Sequence, residues 1–327
     1  MWAYQIQRPG GPEVLQLQKL PDPSLAKGSV RIRVKAFGLN RAEVVTRKGG
    51  SGAAVPFPRV LGIECVGEVL ACADGVFQPG QKVAAVMGGM GRTYDGSYAE
   101  QTVVPRTQVM PIESSLDWVR LAAIPETYLT AWGCLDRIRR LQPGQRIMVR
   151  PGASALGIAI TQIVRDLGGS TIGITRSAHK RQRLLDAGMQ DIIVSKGAVA
   201  SELKKIWPKG VDGIVETVTS ALTVKDDLEI KGRRGKLCIA GSLSASSGGG
   251  GGGISIMAAL ARPSVRIFSS EKIRAASHSS ILQTLVNKVE VGDYTLHTDR
   301  VFPFGKLPEA HRLMDQNAFC GKVVIVH

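Results

Sequence analysis

From about Leu121 onward the chain repeats one unit, a short apolar run followed by about ten residues of helical pattern. "RIMVR" precedes a helix expected from about Ser154, and "STIGIT" precedes "SAHKRQRLLDAG". "DIIVS" then precedes "VASELKKIW", "VDGIVET" precedes "SALTVKDDLEI", and "GKLCIAG" follows. No other feature restricts the fold as tightly. Short strands that read as buried throughout need helices on both faces, which means a parallel sheet. Right-handed crossovers make that sheet doubly wound, with ligands expected at the carboxyl ends of its strands. "VRIFSS" is predicted to add a last strand at the exposed edge of the sheet, where pairing with a second copy would give a homodimer.

The first 120 residues or so have a different rhythm. "SVRIRVKAF" alternates apolar and polar residues, while "GIECVGEVLAC", "QKVAAVM" and "GSYAEQTVV" are further strand candidates separated by turn signals such as "PDPS" and "YDGS". After "VRIFSS", "ILQTLVNKVEVG" reads as a helix, and "RVFPF", "PEAHRLMDQN" and "KVVIVH" read as a return to this β-rich region. The fold class is therefore α/β, with a β-rich domain over 1–121, completed by 271–327, and a doubly wound domain over 122–270. Gly248 to Gly253 form an unbroken glycine run, which has no side chain to pack and is expected to be a mobile loop.

Two stretches of the α/β region carry candidate chemistry. "RPGASALG" places Ser154, Ala155, Leu156 and Gly157 between a strand and a helix, where small residues let a backbone approach a pyrophosphate. An ordinary strand-to-helix connection can look the same. About 20 residues on, at the end of "STIGIT", an NAD-binding protein usually places an acid for the ribose hydroxyl. This chain has Thr175, Arg176 and Ser177, with Lys180 four residues beyond the arginine. A guanidinium there suits a 2′-phosphate, so the expected cofactor is NADPH.

Charge and cysteine content exclude other classes. The excess of 42 Lys and Arg over 27 Asp and Glu gives +15, but the basic residues are scattered. No aromatic platform accompanies them, so a solvated surface is favoured over nucleic-acid binding. The five cysteines, Cys65, Cys72, Cys134, Cys238 and Cys320, form no C-x-x-C pair, which suggests neither a disulfide framework nor a zinc cluster. No apolar run reaches the roughly 18 residues needed to span a bilayer, and the start lacks a signal layout. A cytoplasmic protein without membrane partners is expected.

Nearly the whole chain resembles a medium-chain dehydrogenase/reductase of the zinc-independent quinone-oxidoreductase branch. The resemblance rests on "PGGPEVLQL", "GLNRAEVVTRKG", "FPRVLGIECVGEV", "PGQKVAAV", "GSYAE", "AAIPETYLTAW", "LQPGQRIMVRPGASALGIAITQIVRDLG" and "GKVVIV", in family order. It implies a GroES-like catalytic domain and a Rossmann cofactor domain, and it favours a cofactor loop at Ser154–Gly157. Zinc-dependent relatives carry a cysteine near the "GLN" position and a histidine in Gly-His-Glu-x-x-Gly. Here those positions are Asn40 and Ile63, so no metal site is expected. The five histidines, among them His311, read as surface residues.

The resemblance further implies hydride transfer from the nicotinamide to a quinone or to the β-carbon of an enone, with hydrogen-bond donors at the developing oxyanion. Asn40 matches the family asparagine beside the nicotinamide, and Tyr128 and Arg47 are candidate donors. Thr130 and Lys322 match cofactor contacts, and Gly241 and Ser242 stand at the carboxyl end of "GKLCIAG". Two alternatives are kept. One is an enoyl reductase acting on carrier- or CoA-bound acyl chains, whose basic surface would meet an acidic carrier protein. The other is a cofactor-binding protein with a structural or nucleic-acid role.

Overall fold

A computed structural model describes residues 1–138, 141–240 and 259–327. The glycine run Gly248 to Gly253 lies outside these residues, as do Gly241 and Ser242. The chain divides into two compact units, Met1–Leu129 with Ser270–His327, and Thr130–Ser269.

The first unit begins with eight strands: β1 (Trp2–Ile6), β2 (Gln16–Lys19), β3 (Ser29–Gly38), β4 (Arg59–Val60), β5 (Glu64–Cys72), β6 (Lys82–Val86), β7 (Gln101–Pro105) and β8 (Val109–Pro111). The second unit contributes β9 (Arg146–Arg150), β10 (Ser170–Thr175), β11 (Asp191–Val194), β12 (Val211–Glu216), β13 (Lys231–Ala240) and β14 (Val265–Phe268). The chain then returns to the first unit with β15 (Thr298–Pro303) and β16 (Lys322–Val326).

In the first unit a seven-stranded sheet runs β15-β16-β3-β5-β6-β8, with β7 also paired to β3, and β2-β1-β4 form a smaller sheet. β3 shows why this region alternates in sequence. Val30, Ile32, Val34 and Ala36 are buried while Arg31, Arg33 and Lys35 are not, so each successive side chain changes face. Val30, Ile32 and Val34 join Phe37, Tyr98, Val323 and Ile325 in one core. Helix Leu307–Gln316 closes over it with Leu307, Ala310, His311 and Met314, a spacing that puts all four on one stripe.

In the second unit the six strands are parallel and ordered β11-β10-β9-β12-β13-β14. In chain order within the sheet that is 3-2-1-4-5-6, a doubly wound arrangement. Ile147, Met148 and Val149 are buried in succession because helices cover both faces. Leu203, Trp207, Val224 and Ile230 supply the helical half of this core. The expected single helix after β10 is instead a 3-10 turn, Ala178–Lys180, followed by Arg181–Asp186. β14 stands at the edge of the sheet with Ile267 exposed. Among the described residues no helix is long and apolar enough to cross a membrane.

Candidate functional site

In the first unit, the end of β3 leads through Leu39 to Asn40, the residue before helix Arg41–Arg47. Asn40 Nδ2 donates to Glu64 Oε1 at 2.9 Å and to the Gly38 carbonyl at 3.2 Å. Its Oδ1 accepts from Lys322 Nζ at 2.8 Å, and the same ammonium donates to Glu64 Oε1 at 2.7 Å. Glu64 Oε2 accepts the backbone N–H of Glu126, at the start of helix Pro125–Ile138, at 3.0 Å. A carboxylate there meets the positive end of the helix dipole. Glu64 and Lys322 are both buried, and the orientation of the Asn40 amide is fixed by them. Asn40 and Lys322 are expected from the resemblance; the hub that joins them, Glu64, is not.

A second buried network anchors the same turn from below. Glu43 Oε2 accepts the Asn40 N–H at 2.7 Å and the Tyr98 hydroxyl at 2.9 Å, and its Oε1 accepts the Ile63 N–H at 2.9 Å. Burial nonetheless pushes its carboxyl up to about 7. The Tyr98 oxygen also lies 2.9 Å from His311 Nε2, and His311 Nδ1 lies 3.1 Å from Arg47 Nη1. Since Tyr98 donates to Glu43 and Arg47 can only donate, His311 is the neutral tautomer with its proton on Nε2. Burial, reinforced by the Arg47 charge, pushes it down to about 3. His311 is therefore a core residue, not the surface residue expected from the sequence.

Arg47 needs the same correction. Its side chain is fully buried and is spent inside the unit, on Asp315 at 2.7 Å, on His311 and on the Gly10 carbonyl. It fixes helix Arg41–Arg47 against helix Leu307–Gln316 and is not a donor presented to a substrate. Tyr128 is buried and stacks on Tyr294, with ring centroids 5.9 Å apart and planes 15° from parallel. Burial raises its hydroxyl well above the usual phenol range, so the proton stays on at neutral pH.

In the second unit, the turn after β9 is shaped by contacts that exclude side chains. A Cβ at Gly157 would lie 2.4 Å from the Gly152 carbonyl oxygen and 2.7 Å from that of Pro151. One at Gly152 would lie 2.8 Å from Gly173 Cα on β10. Ser154 caps helix Ala155–Asp166: its Oγ accepts the Gly157 N–H at 3.0 Å and donates to the Pro151 carbonyl. A cap of this kind is worth about 1 kcal/mol, a local reason for serine. Ala155 and Leu156 hold the first two helical N–H groups, which have no acceptor within a helix.

The Gly152 N–H donates to the Ile174 carbonyl at 2.8 Å, so this turn and the end of β10 lie side by side. Thr175 Oγ1 accepts the Ser177 N–H at 3.2 Å, and Arg176 between them is exposed. Lys180, the further candidate for a coenzyme contact, is buried at the end of the 3-10 turn. Thr130 is buried. Among the described residues, no group of three or more His, Cys, Asp and Glu side chains could hold a metal ion.

Comparison with known proteins fits both units. Residues 26–114 match the alcohol dehydrogenase GroES-like domain, and residues 187–325 match the zinc-binding dehydrogenase family. The chain is 26% identical over 332 residues to the quinone oxidoreductase of Lama guanicoe, covering 100% of this chain and 97% of the relative. A solved NAD-dependent alcohol dehydrogenase is 28% identical, with a TM-score of 0.83 and full coverage of both chains. The Escherichia coli quinone oxidoreductase complexed with NADPH has a TM-score of 0.86, 20% identity and full coverage of both, a likeness of fold. By its two domains, their order and these relatives, the chain belongs to the medium-chain dehydrogenase/reductase superfamily, on its zinc-independent, quinone-oxidoreductase-like branch.

Proposed function

We propose that this protein is an NADPH-dependent oxidoreductase that, without a metal, reduces a quinone or the C=C bond of an α,β-unsaturated carbonyl compound. The observation that carries the reading is the Ser154-capped turn, packed through its glycines, lying beside a strand that an exposed arginine directly follows. The turn fits a pyrophosphate, since the Ala155 and Leu156 N–H groups sit at the positive end of the helix. Arg176 fits a 2′-phosphate through its planar fork, where an acid would instead hold an NAD ribose. Thr130, Thr175, Ser177, Gly241 and Ser242 complete the proposed contact set.

When bound, the nicotinamide supplies the hydride. The protein's own residues hold, orient and donate. Asn40 and Lys322, locked together through Glu64, present a fixed polar face, and Lys322 has one N–H beyond its two bonds in the cluster. Positions that carry zinc ligands in other relatives are Asn40 and the buried Ile63 here, and Glu64 already accepts from three groups. Activation of a substrate carbonyl then falls to hydrogen-bond donors, with Tyr128 proposed as one because it keeps its proton.

The quinone oxidoreductase relatives support this reading, and the neighbour described as NAD-dependent makes the coenzyme the point to test. Titration with NADPH and NADH, followed by NADPH oxidation with quinones, enones and enoyl thioesters, is the experiment. Turnover of quinones or enones is expected. Turnover of enoyl thioesters alone points to the carrier- or CoA-linked reductase, and coenzyme binding without any turnover to a binding protein. A homodimer paired along β14 is part of the same proposal.

A further inference from the structure

β9 and β12 are neighbours in the sheet but first and fourth in its chain order, so the strand order reverses between them. In a doubly wound sheet the ligand lies outside the carboxyl ends at that point. Arg150 ends β9, Glu216 ends β12, and the two stand opposite each other in register. Thr217 ties the ends together by donating its N–H to the Arg150 carbonyl at 3.0 Å.

The next residues turn unusually. Thr219 has φ +45°, a left-handed conformation that is strained for a β-branched residue and persists only where its surroundings hold it. The holding group is Glu216, whose Oε1 accepts the N–H of both Val218 and Thr219, the latter at 3.0 Å. The following helix, Ala221–Ile230, does not need this carboxyl, because Ser220 caps it by accepting the Thr223 N–H at 3.1 Å. Glu216 is itself backed by Arg150, whose Nε lies 3.5 Å from Oε2. Arg150 Nη2 also meets Asp226 at 2.6 Å and Asp227 at 3.1 Å. Asp226 anchors the far side by accepting the N–H groups of Val199 and Ala200. All four side chains are buried. Burial, with the carboxylates of Glu216 and Asp226 adding to it, raises Asp227 well above its usual value despite Arg150.

We propose that Glu216, with Arg150 behind it, is a positioning residue for the coenzyme: it holds the Thr217–Ser220 loop in the shape that lets a dinucleotide lie across the point of strand reversal. The inference rests on the NADPH reading above. It separates reach from charge. Glu216→Gln keeps an acceptor at the Oε1 position, whereas Glu216→Asp keeps the charge but withdraws it by one methylene from the loop N–H groups.

Calorimetric titration of NADPH against wild type, Glu216→Gln, Glu216→Asp and Glu216→Ala tests this, with melting temperatures measured alongside. The Gln variant should bind within about threefold of wild type, and the Asp and Ala variants roughly ten- to a hundredfold more weakly, the loss of a hydrogen bond to a charged group. Should Glu216→Ala not fold, Glu216→Asp decides. Wild-type affinity in Glu216→Asp, whatever its melting temperature, overturns the inference and leaves the NADPH reading standing. A wild-type protein that binds neither NADPH nor NADH overturns both.

Discussion

A single methyl group at Gly38 should dismantle the Asn40–Glu64–Lys322 cluster. A Cβ there would lie 2.0 Å from Lys322 Cε, 2.7 Å from its Nζ and 2.7 Å from Glu64 Oε1. Lys322 is only 4% exposed, so its ammonium cannot move aside without losing Asn40 and Glu64. Breaking a buried pair from one side costs about 3–5 kcal/mol. Glu64 keeps the Asn40 amide and the Glu126 N–H, which favours the lower end, about 3 kcal/mol. Loss of unfolded-state freedom on replacing glycine offsets about 0.5–1 kcal/mol, leaving a net cost of roughly 2 kcal/mol for Gly38→Ala. In a Lys322→Ala background only the approach to Glu64 Oε1 remains, and the cost of Gly38→Ala should fall to near zero. The expected coupling is therefore roughly 2 kcal/mol. Urea unfolding of the two single variants and the double variant, followed by tryptophan fluorescence at pH 7, closes the cycle. An equal cost for Gly38→Ala in both backgrounds would mean that Lys322 does not occupy the space beside Gly38.

Stability should depend on pH through two buried groups of opposite sign. His311, pushed down to about 3, binds its proton more weakly in the fold than in the unfolded chain, so it destabilises as pH falls from about 6.5 towards 3, by roughly 5 kcal/mol at the limit. Glu43, pushed up to about 7, destabilises as pH rises from about 4.5 to 7, by roughly 3 kcal/mol. His311→Gln should remove the first effect, so the difference in urea midpoint between wild type and variant should change with pH below 6.5; a constant difference would contradict the buried neutral imidazole. Ile267→Lys, at the exposed position of edge strand β14, should yield a monomer by light scattering without loss of thermal stability. A wild type already monomeric at micromolar concentration, whatever the salt, would remove the proposed dimer.

The α/β unit was legible because its signal is local. Each strand is a short apolar run and each helix a ten-residue period, and "VDGIVET" with "SALTVKDDLEI" became β12 and helix Ala221–Ile230. The Ser154–Gly157 turn was legible for the same reason. The polar networks were not, because their members are far apart: Tyr98 and His311 are 213 residues from each other, and Arg150 and Asp226 are 76. Signals did exist. His311 falls on the stripe of Leu307, Ala310 and Met314, which marks a buried position rather than a surface one. Glu43 follows Asn40 by three, the spacing at which an acid reaches back to the residue before a helix. Asp227 follows the buried Val224 by three and shares its face. Nothing in the local sequence marks Arg150 as the partner of Glu216, since only the register of β9 and β12 brings the two together.

The most direct test of NADPH use is a calorimetric titration of NADPH and NADH into wild type and Arg176→Ala. Arg176 is exposed beside the Ser154-capped turn, and a guanidinium–phosphate contact is worth roughly 1.5–3 kcal/mol, about ten- to a hundredfold in affinity. Wild type should prefer NADPH by that factor, and Arg176→Ala should lose the preference by weakening NADPH alone, since NADH has no 2′-phosphate. Equal wild-type affinities, or the same loss for both coenzymes, would contradict the assignment and leave Arg176 a solvated surface charge.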